Sequence, residues 1–356
     1  MAEVSFKMRD QIKLQARQGQ ILAAIVRLFV SNGIPVGSKA IAEHLRESLS
    51  SATIRNVMVE LEAVGFLSQP HVSAGRIPLD KAYRYYVDWM LENTRLPPET
   101  EKYIDESLAT ETRTPEQLMT RTSHVLSEVS HNVGLVLGPR LEEKLLEHIK
   151  FVRLPDRRVL AVIVSRPDLI ENKVLHLDDE FTQEELDQAS DFLNGEFRGW
   201  SLRTIRVEIF KRLEEMKTLY DRLLSTVSTL FTWGALGGEE PGPLFVDGAA
   251  RILGLPGFED ARQIEELLKA FEEKAKLAKI LSACLESSRS QVRTLIGREN
   301  PVSEMRHCAI VVAPYRYRNR VVGALGVVGP TRMEYDRAIT TVDYVAQLCS
   351  RLLSAA

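Results

Sequence analysis

The sequence predicts a multidomain α+β protein headed by a winged helix-turn-helix, and three observations carry that prediction. Within the first 98 residues, three short amphipathic helices are followed at once by a hairpin punctuated with Gly and Pro. Strand-like segments then recur on both sides of a helical middle, which fits one α+β domain interrupted by an insertion. Charge is also unevenly placed. Residues 1 to 98 hold 12 Lys and Arg against 9 Asp and Glu, and the remainder holds 34 against 40. A mildly basic head on an acidic body suits a DNA reader on a regulatory body, although the overall net charge is −3.

The first helix, Arg17 to Gly33, places Ile21, Leu22, Ile25, Leu28 and Phe29 on one stripe. Gly33 offers a left-handed end and Pro35 prevents continuation. A second helix starts at Ser38, which can cap it, and buries Ile41 and Leu45. A third runs from Ser50 or Ser51 to Gly65 and buries Ile54, Val57, Met58, Leu61 and Val64. That stripe leaves Ala52, Arg55, Asn56 and Val59 on the opposite face, with Ser51 and Thr53 at the N-terminal end. Arg donates twice to guanine, Asn pairs both ways with adenine, and small side chains let a helix approach the major groove closely. Arg55 and Asn56 are therefore the base-contact candidates. Ser51, Thr53 and Lys39 are the phosphate-contact candidates, helped by the positive end of the helix dipole. The helix by itself equally allows Arg55 and Asn56 to be solvated polar residues.

The segment after the third helix adds weight to the reading role. Phe66 to Gln69 reads as a strand, His71 to Arg76 as a turn, and Ile77-Pro78 as a returning edge strand. This wing would offer His71, Ser73 and Arg76 to the backbone or minor groove. A helix from Asp80 to Asn93 follows, with Ala82, Tyr83, Tyr86, Val87, Met90 and Leu91 turned inward, and Pro97-Pro98 closes the head.

In the body, Arg113 to Gly138 reads as a helix running into a strand. Glu147–Leu154, Arg158–Ser165 and Ile170–Leu177 are β-rich, and Thr182–Asn194 is helical. Strand signals return at Val292–Arg298, His307–Pro314 and Val321–Val328, with Arg318-Asn319 at a hairpin tip, and a helix from Glu334 to Leu353 ends the pattern. Between these lie apolar residues at 209, 213, 216, 220, 223, 227 and 230, a heptad seam. A second long helix, Ala261 to Glu286, has similar spacing, and the run between them, Gly234 to Pro256, is rich in Gly and Pro. Such helices either pack on each other within the chain or form a dimer seam. The predicted division is 1–98 for the DNA-binding domain, 99–195 and 286–356 for the two parts of the α+β domain, and 196–285 for a dimerising insertion.

Catalytic and metal-binding classes find no support. The seven His residues (44, 71, 124, 131, 148, 176 and 307) show no paired spacing, and Cys284, Cys308 and Cys349 show no metal-ligand spacing. Gly323-Ala324-Leu325-Gly326 lies in a strand and opens no helix, so it fails as a nucleotide fingerprint. No enzyme activity, metal or cofactor is expected. No apolar run reaches ~18 residues and the N-terminus lacks a secretory h-region, so no membrane association and a cytoplasmic location with reduced thiols are expected.

The run SSATIRNVMVELEAVGFLSQPHVSAGRIPLDKAYRYYVD (Ser50 to Asp88), with VGSKAIAEHL (Val36 to Leu45), resembles the N-terminal signature of the HrcA family of heat-inducible transcription repressors. It departs from that pattern at Leu79, where Thr is expected, and at Ala82, where Gly is expected. RYRNRVVGALGVVGPTRMEY (Arg316 to Tyr335) and IGREN (Ile296 to Asn300) are similar to the family's C-terminal signature. The resemblance implies a winged helix, a GAF-like domain and a dimerising domain inserted into it. It also implies a homodimer on double-stranded DNA at the CIRCE inverted repeat, with activity maintained by the GroEL chaperonin. A GAF-like body is also compatible with a regulator gated by a small-molecule ligand.

Overall fold

The computed structural model describes residues 14–45, 49–72, 74–90, 95–109, 114–138, 145–166, 169–215, 226–230, 242–254, 257–258, 261–286, 292–317 and 320–355. The head begins with α1 (Ala16–Asn32), α2 (Ser38–Leu45) and α3 (Ser51–Ala63). Gly33 ends α1 in the left-handed region at φ 70°, and its N–H donates to the Phe29 carbonyl. Ile21, Leu22, Ile25, Ile41, Ile54, Val57, Met58 and Leu61 meet in the head's core as their spacing requires. Val64, expected inside, is 42% exposed, because α3 stops at Ala63 and the chain turns there. Strands β1 (Leu67–Ser68) and β2 (Ile77–Pro78) pair antiparallel as a short wing. Val36 exchanges two backbone hydrogen bonds with Arg76 and adds a third rung. Helix α4 (Asp80–Tyr85) continues as a π-helical turn over Tyr86–Met90. Ala82 is fully buried, with its methyl group within the core.

The body is built on a five-stranded antiparallel sheet. Its strands are β3 (Val133–Leu137), β7 (Leu244–Asp247), β8 (Arg293–Ile296), β9 (Cys308–Tyr317) and β10 (Arg320–Pro330), in the order β7-β3-β10-β9-β8. Alternation sorts its side chains. Ala309, Val311, Ala313 and Tyr315 face a layer of α6 (Pro115–Ser130) and α11 (Tyr335–Ala355), flanked by α5 (Pro98–Ala109). Ile310 and Val312 face the opposite layer, made by α9 (Ala261–Glu272) and α10 (Lys274–Glu286). The predicted single helix over 261–286 is thus two helices broken at Glu273, both wrapped on the sheet. Cys308 and Cys349 are free and buried, and burial pushes each thiol up to about 12.

Residues 145–230 form a separate unit. Strands β4 (Leu145–Leu154), β5 (Arg158–Arg166) and β6 (Leu169–His176) make their own three-stranded sheet, covered on one face by α7 (Gln183–Phe197) and α8 (Leu202–Glu215). Helix α7 also closes the free edge of β4. The backbone N–H groups of Ile149, Phe151 and Arg153 donate to Asn194 Oδ1, Ser190 Oγ and Gln183 Oε1 at 2.8, 3.1 and 2.8 Å.

The predicted boundaries are 195/196 and 285/286, and the sheets divide the described residues at other points. The segment that leaves the five-stranded sheet is 145–230, and the chain has returned to that sheet by β7. Strand periodicity shows that a segment is a strand but not which sheet it joins. The heptad seam is also redirected. Ile209, Val227 and Leu230 are fully buried within this unit's own core, while 216, 220 and 223 lie outside the described residues.

Candidate nucleic-acid interface

The reading helix is built by its cap. Ser50 Oγ accepts from the Thr53 backbone N–H at 3.1 Å and lies 2.9 Å from Thr53 Oγ1, which fixes where α3 begins. Burial of Ile54, Val57, Met58 and Leu61 leaves Ser51, Ala52, Arg55, Asn56 and Val59 exposed. Thr53 is half-buried, with its hydroxyl at the cap. Lys39 is exposed on α2, which packs beside α3. Two side-chain contacts brace α3 against its neighbours. Gln18 Nε2 of α1 donates to Glu60 Oε2 at 3.0 Å, and Lys81 Nζ donates to the Val64 carbonyl at 2.9 Å while lying over the Phe66 ring.

The wing is placed differently from expectation. His71 is exposed, and Val72 at the tip is 99% exposed. Ser73 lies outside the described residues. Arg76, expected to reach out from the tip, folds inward, with its guanidinium 2.8 Å from Glu62 of α3 and its side chain only 13% exposed. Alternation explains this position, because Arg76 shares a strand face with Pro78, which is buried. Gln69, not singled out from the sequence, organises the tip by donating from Nε2 to the carbonyls of Val72 and Ala74 at 2.9 and 3.0 Å.

The head does not hang free. Arg84 of α4 pairs with Glu299 and donates to the Thr294 carbonyl at 2.7 Å. Burial alone would lower the Arg84 pKa, but the Glu299 and Asp88 carboxylates more than offset it, and the net shift is upward. Tyr86 Oη donates to Asp336 Oδ1 at 3.0 Å and accepts from Arg27 Nε at 3.2 Å. Pro97-Pro98 closes the head in sequence, yet one continuous core runs from α1 through Tyr83 and Tyr335 into α11.

Residues 13–88 match the family described as "Winged helix-turn-helix transcription repressor, HrcA DNA-binding", and residues 116–339 match "HrcA protein C terminal domain". The chain belongs to the HrcA family. Among HrcA relatives, the heat-inducible transcription repressor HrcA of Geobacter sulfurreducens is 38% identical over 96% of this chain and 98% of its own length. The one from Thermodesulfovibrio yellowstonii is 35% identical over 98% and 100%. A crystal structure described as a hypothetical protein at 2.2 Å resolution superposes with a TM-score of 0.59 at 21% identity, covering 96% of this chain and 99% of the other. That likeness bears on fold alone. HrcA membership makes the chain a DNA-binding, heat-inducible transcription repressor. No described helix is long and apolar enough to cross a membrane.

Proposed function

We propose that the exposed face of α3 reads the CIRCE inverted repeat, one head per half-site, in a homodimer that represses chaperone operons. The observation that carries this reading is the pairing of an exposed Arg55-Asn56 face with a wing on the same rigid head. Arg55 and Asn56 make the base contacts, with Ala52 allowing close approach, and Ser51, Thr53 and Lys39 hold the backbone. His71 and Ser73 reach the flanking groove from the wing, and Arg76 serves it from behind.

The second copy docks on the outer face of the β4-β5-β6 sheet. Ile170 pairs with Val164, and Val152 and Val174 flank Leu160. These residues form an apolar patch in which Ile170 is 63% and Val174 49% exposed. Two-fold symmetry in the protein then matches two-fold symmetry in the operator. The five-stranded unit is the GAF-like domain that family resemblance implies, and control by GroEL rests on that resemblance as well.

A mobility shift with the CIRCE repeat and a scrambled competitor, with and without GroEL, tests the whole reading. A shift specific to the repeat and strengthened by GroEL is expected. A folded protein that ignores the repeat in both conditions would overturn it. A rise in thermal stability on addition of a small molecule, without any GroEL effect, would turn the regulation towards a ligand gate.

A further inference from the structure

The body grips the head at IGREN (Ile296 to Asn300) and at the end of the Arg316 to Tyr335 run with the residue after it, Asp336. Asp80 Oδ2 accepts the backbone N–H of Arg298 at 3.1 Å, beside the Arg84–Glu299 pair. Gly297 sits there at φ 53°, and a Cβ on it would fall 2.1 Å from Asp80 Oδ2, so the segment approaches α4 as only Gly allows. At the second contact, Arg332 lies 5.5 Å from the Phe29 ring centroid and donates to the Val30 carbonyl at 3.4 Å, while Asp336 receives Tyr86. The Tyr83 and Tyr335 rings, 3% and 1% exposed, pack together at 5.8 Å. None of these residues lies on the exposed face of α3 or in the wing.

We propose that Arg84, Tyr86, Glu299, Arg332 and Asp336 are positioning residues for operator recognition, holding the head at one orientation so that they set the half-site spacing the repressor accepts. The proposal rests on the dimeric reading above. A head on a loose tether would reach half-sites over a range of separations, because a flexible linker only dilutes the second site. A head fixed by two polar contacts and a buried aromatic pair presents its α3 at one distance and one rotation from the two-fold axis, so spacing becomes a property of the protein.

The test uses the full chain and three duplexes: the CIRCE repeat, the same repeat with its spacer lengthened by about five base pairs, or half of the ~10 bp turn, and a single half-site. For the wild type, lengthening the spacer is expected to weaken binding by about 30-fold or more, down to the half-site level. In Arg84→Glu the loss should shrink to about threefold or less with half-site affinity unchanged, and adding Glu299→Arg should restore discrimination. If Arg84→Glu fails to fold, the Tyr86→Phe, Asp336→Asn pair carries the same expectation. A folded variant that keeps full spacing discrimination, or binds the unaltered repeat more tightly than the wild type, overturns the proposal. A wild type that binds the repeat no better than a half-site removes the dimeric reading, and this proposal with it.

Discussion

At the residue scale, Arg55 and Asn56 were legible because an amphipathic helix hides one stripe and must show the other, and the structure exposes both. Arg55→Ala is expected to cost ~1–3 kcal/mol on the operator and to relax preference at one base pair, whereas Lys39→Ala should weaken operator and random DNA alike. Equal losses on both duplexes for Arg55→Ala would remove it from base reading. A turn-rich segment offered Arg76 as a wing contact, and the structure turns its side chain inward. Its inward ion pair with Glu62 leads to a different expectation. Arg76→Gln should lower the melting temperature, with a cost of about 1 kcal/mol, and leave the slope of log K against log salt unchanged. A slope reduced by about one would return Arg76 to the phosphate contacts. Gln69 and Glu62 show what the sequence could not reveal at this scale, since their partners are fixed only once the wing has closed.

At the element scale, strands and helices were largely legible and their partners were not. The β-rich run Arg158–Ser165 predicted a strand, and β5 buries every second residue. Nothing in that period says that β4, β5 and β6 pair with one another rather than with β9 and β10. Likewise, β7 was lost in a Gly- and Pro-rich run because four residues are too few for a period to show. Of the heptad positions over 209–230, Ile209, Val227 and Leu230 lie inside the unit's own core. The proposed surface for a second copy is the outer sheet face, whose outward positions include Val162, Val164 and Ile170. Ile170→Glu, which puts a charge into that patch, should raise the dimer dissociation constant by at least about tenfold in sedimentation, at a site too exposed for the fold to depend on it. An unchanged dimer would move the interface elsewhere.

At the scale of the whole molecule, the head and the body share one apolar core and two polar contacts, so the reading face is carried by a body and not by a tether. The Pro97-Pro98 pair gives no sign of this, because linker composition reports on the chain between domains and not on the surfaces that meet across it. In the proposed dimer, the described part of 145–230 supplies the surface for the two-fold axis, and the exposed α3 faces supply the chemistry for the operator. The proposed dimer recognises an inverted repeat through two heads held at a fixed spacing. The most direct measurement is an anisotropy titration of the full chain with the CIRCE repeat and with a scrambled duplex of equal length, at one fixed salt concentration. Two chains per repeat and an affinity for the repeat at least ~10³ tighter than for the scrambled duplex are expected. Equal affinity for the two duplexes, from a folded protein, would contradict the account at its centre.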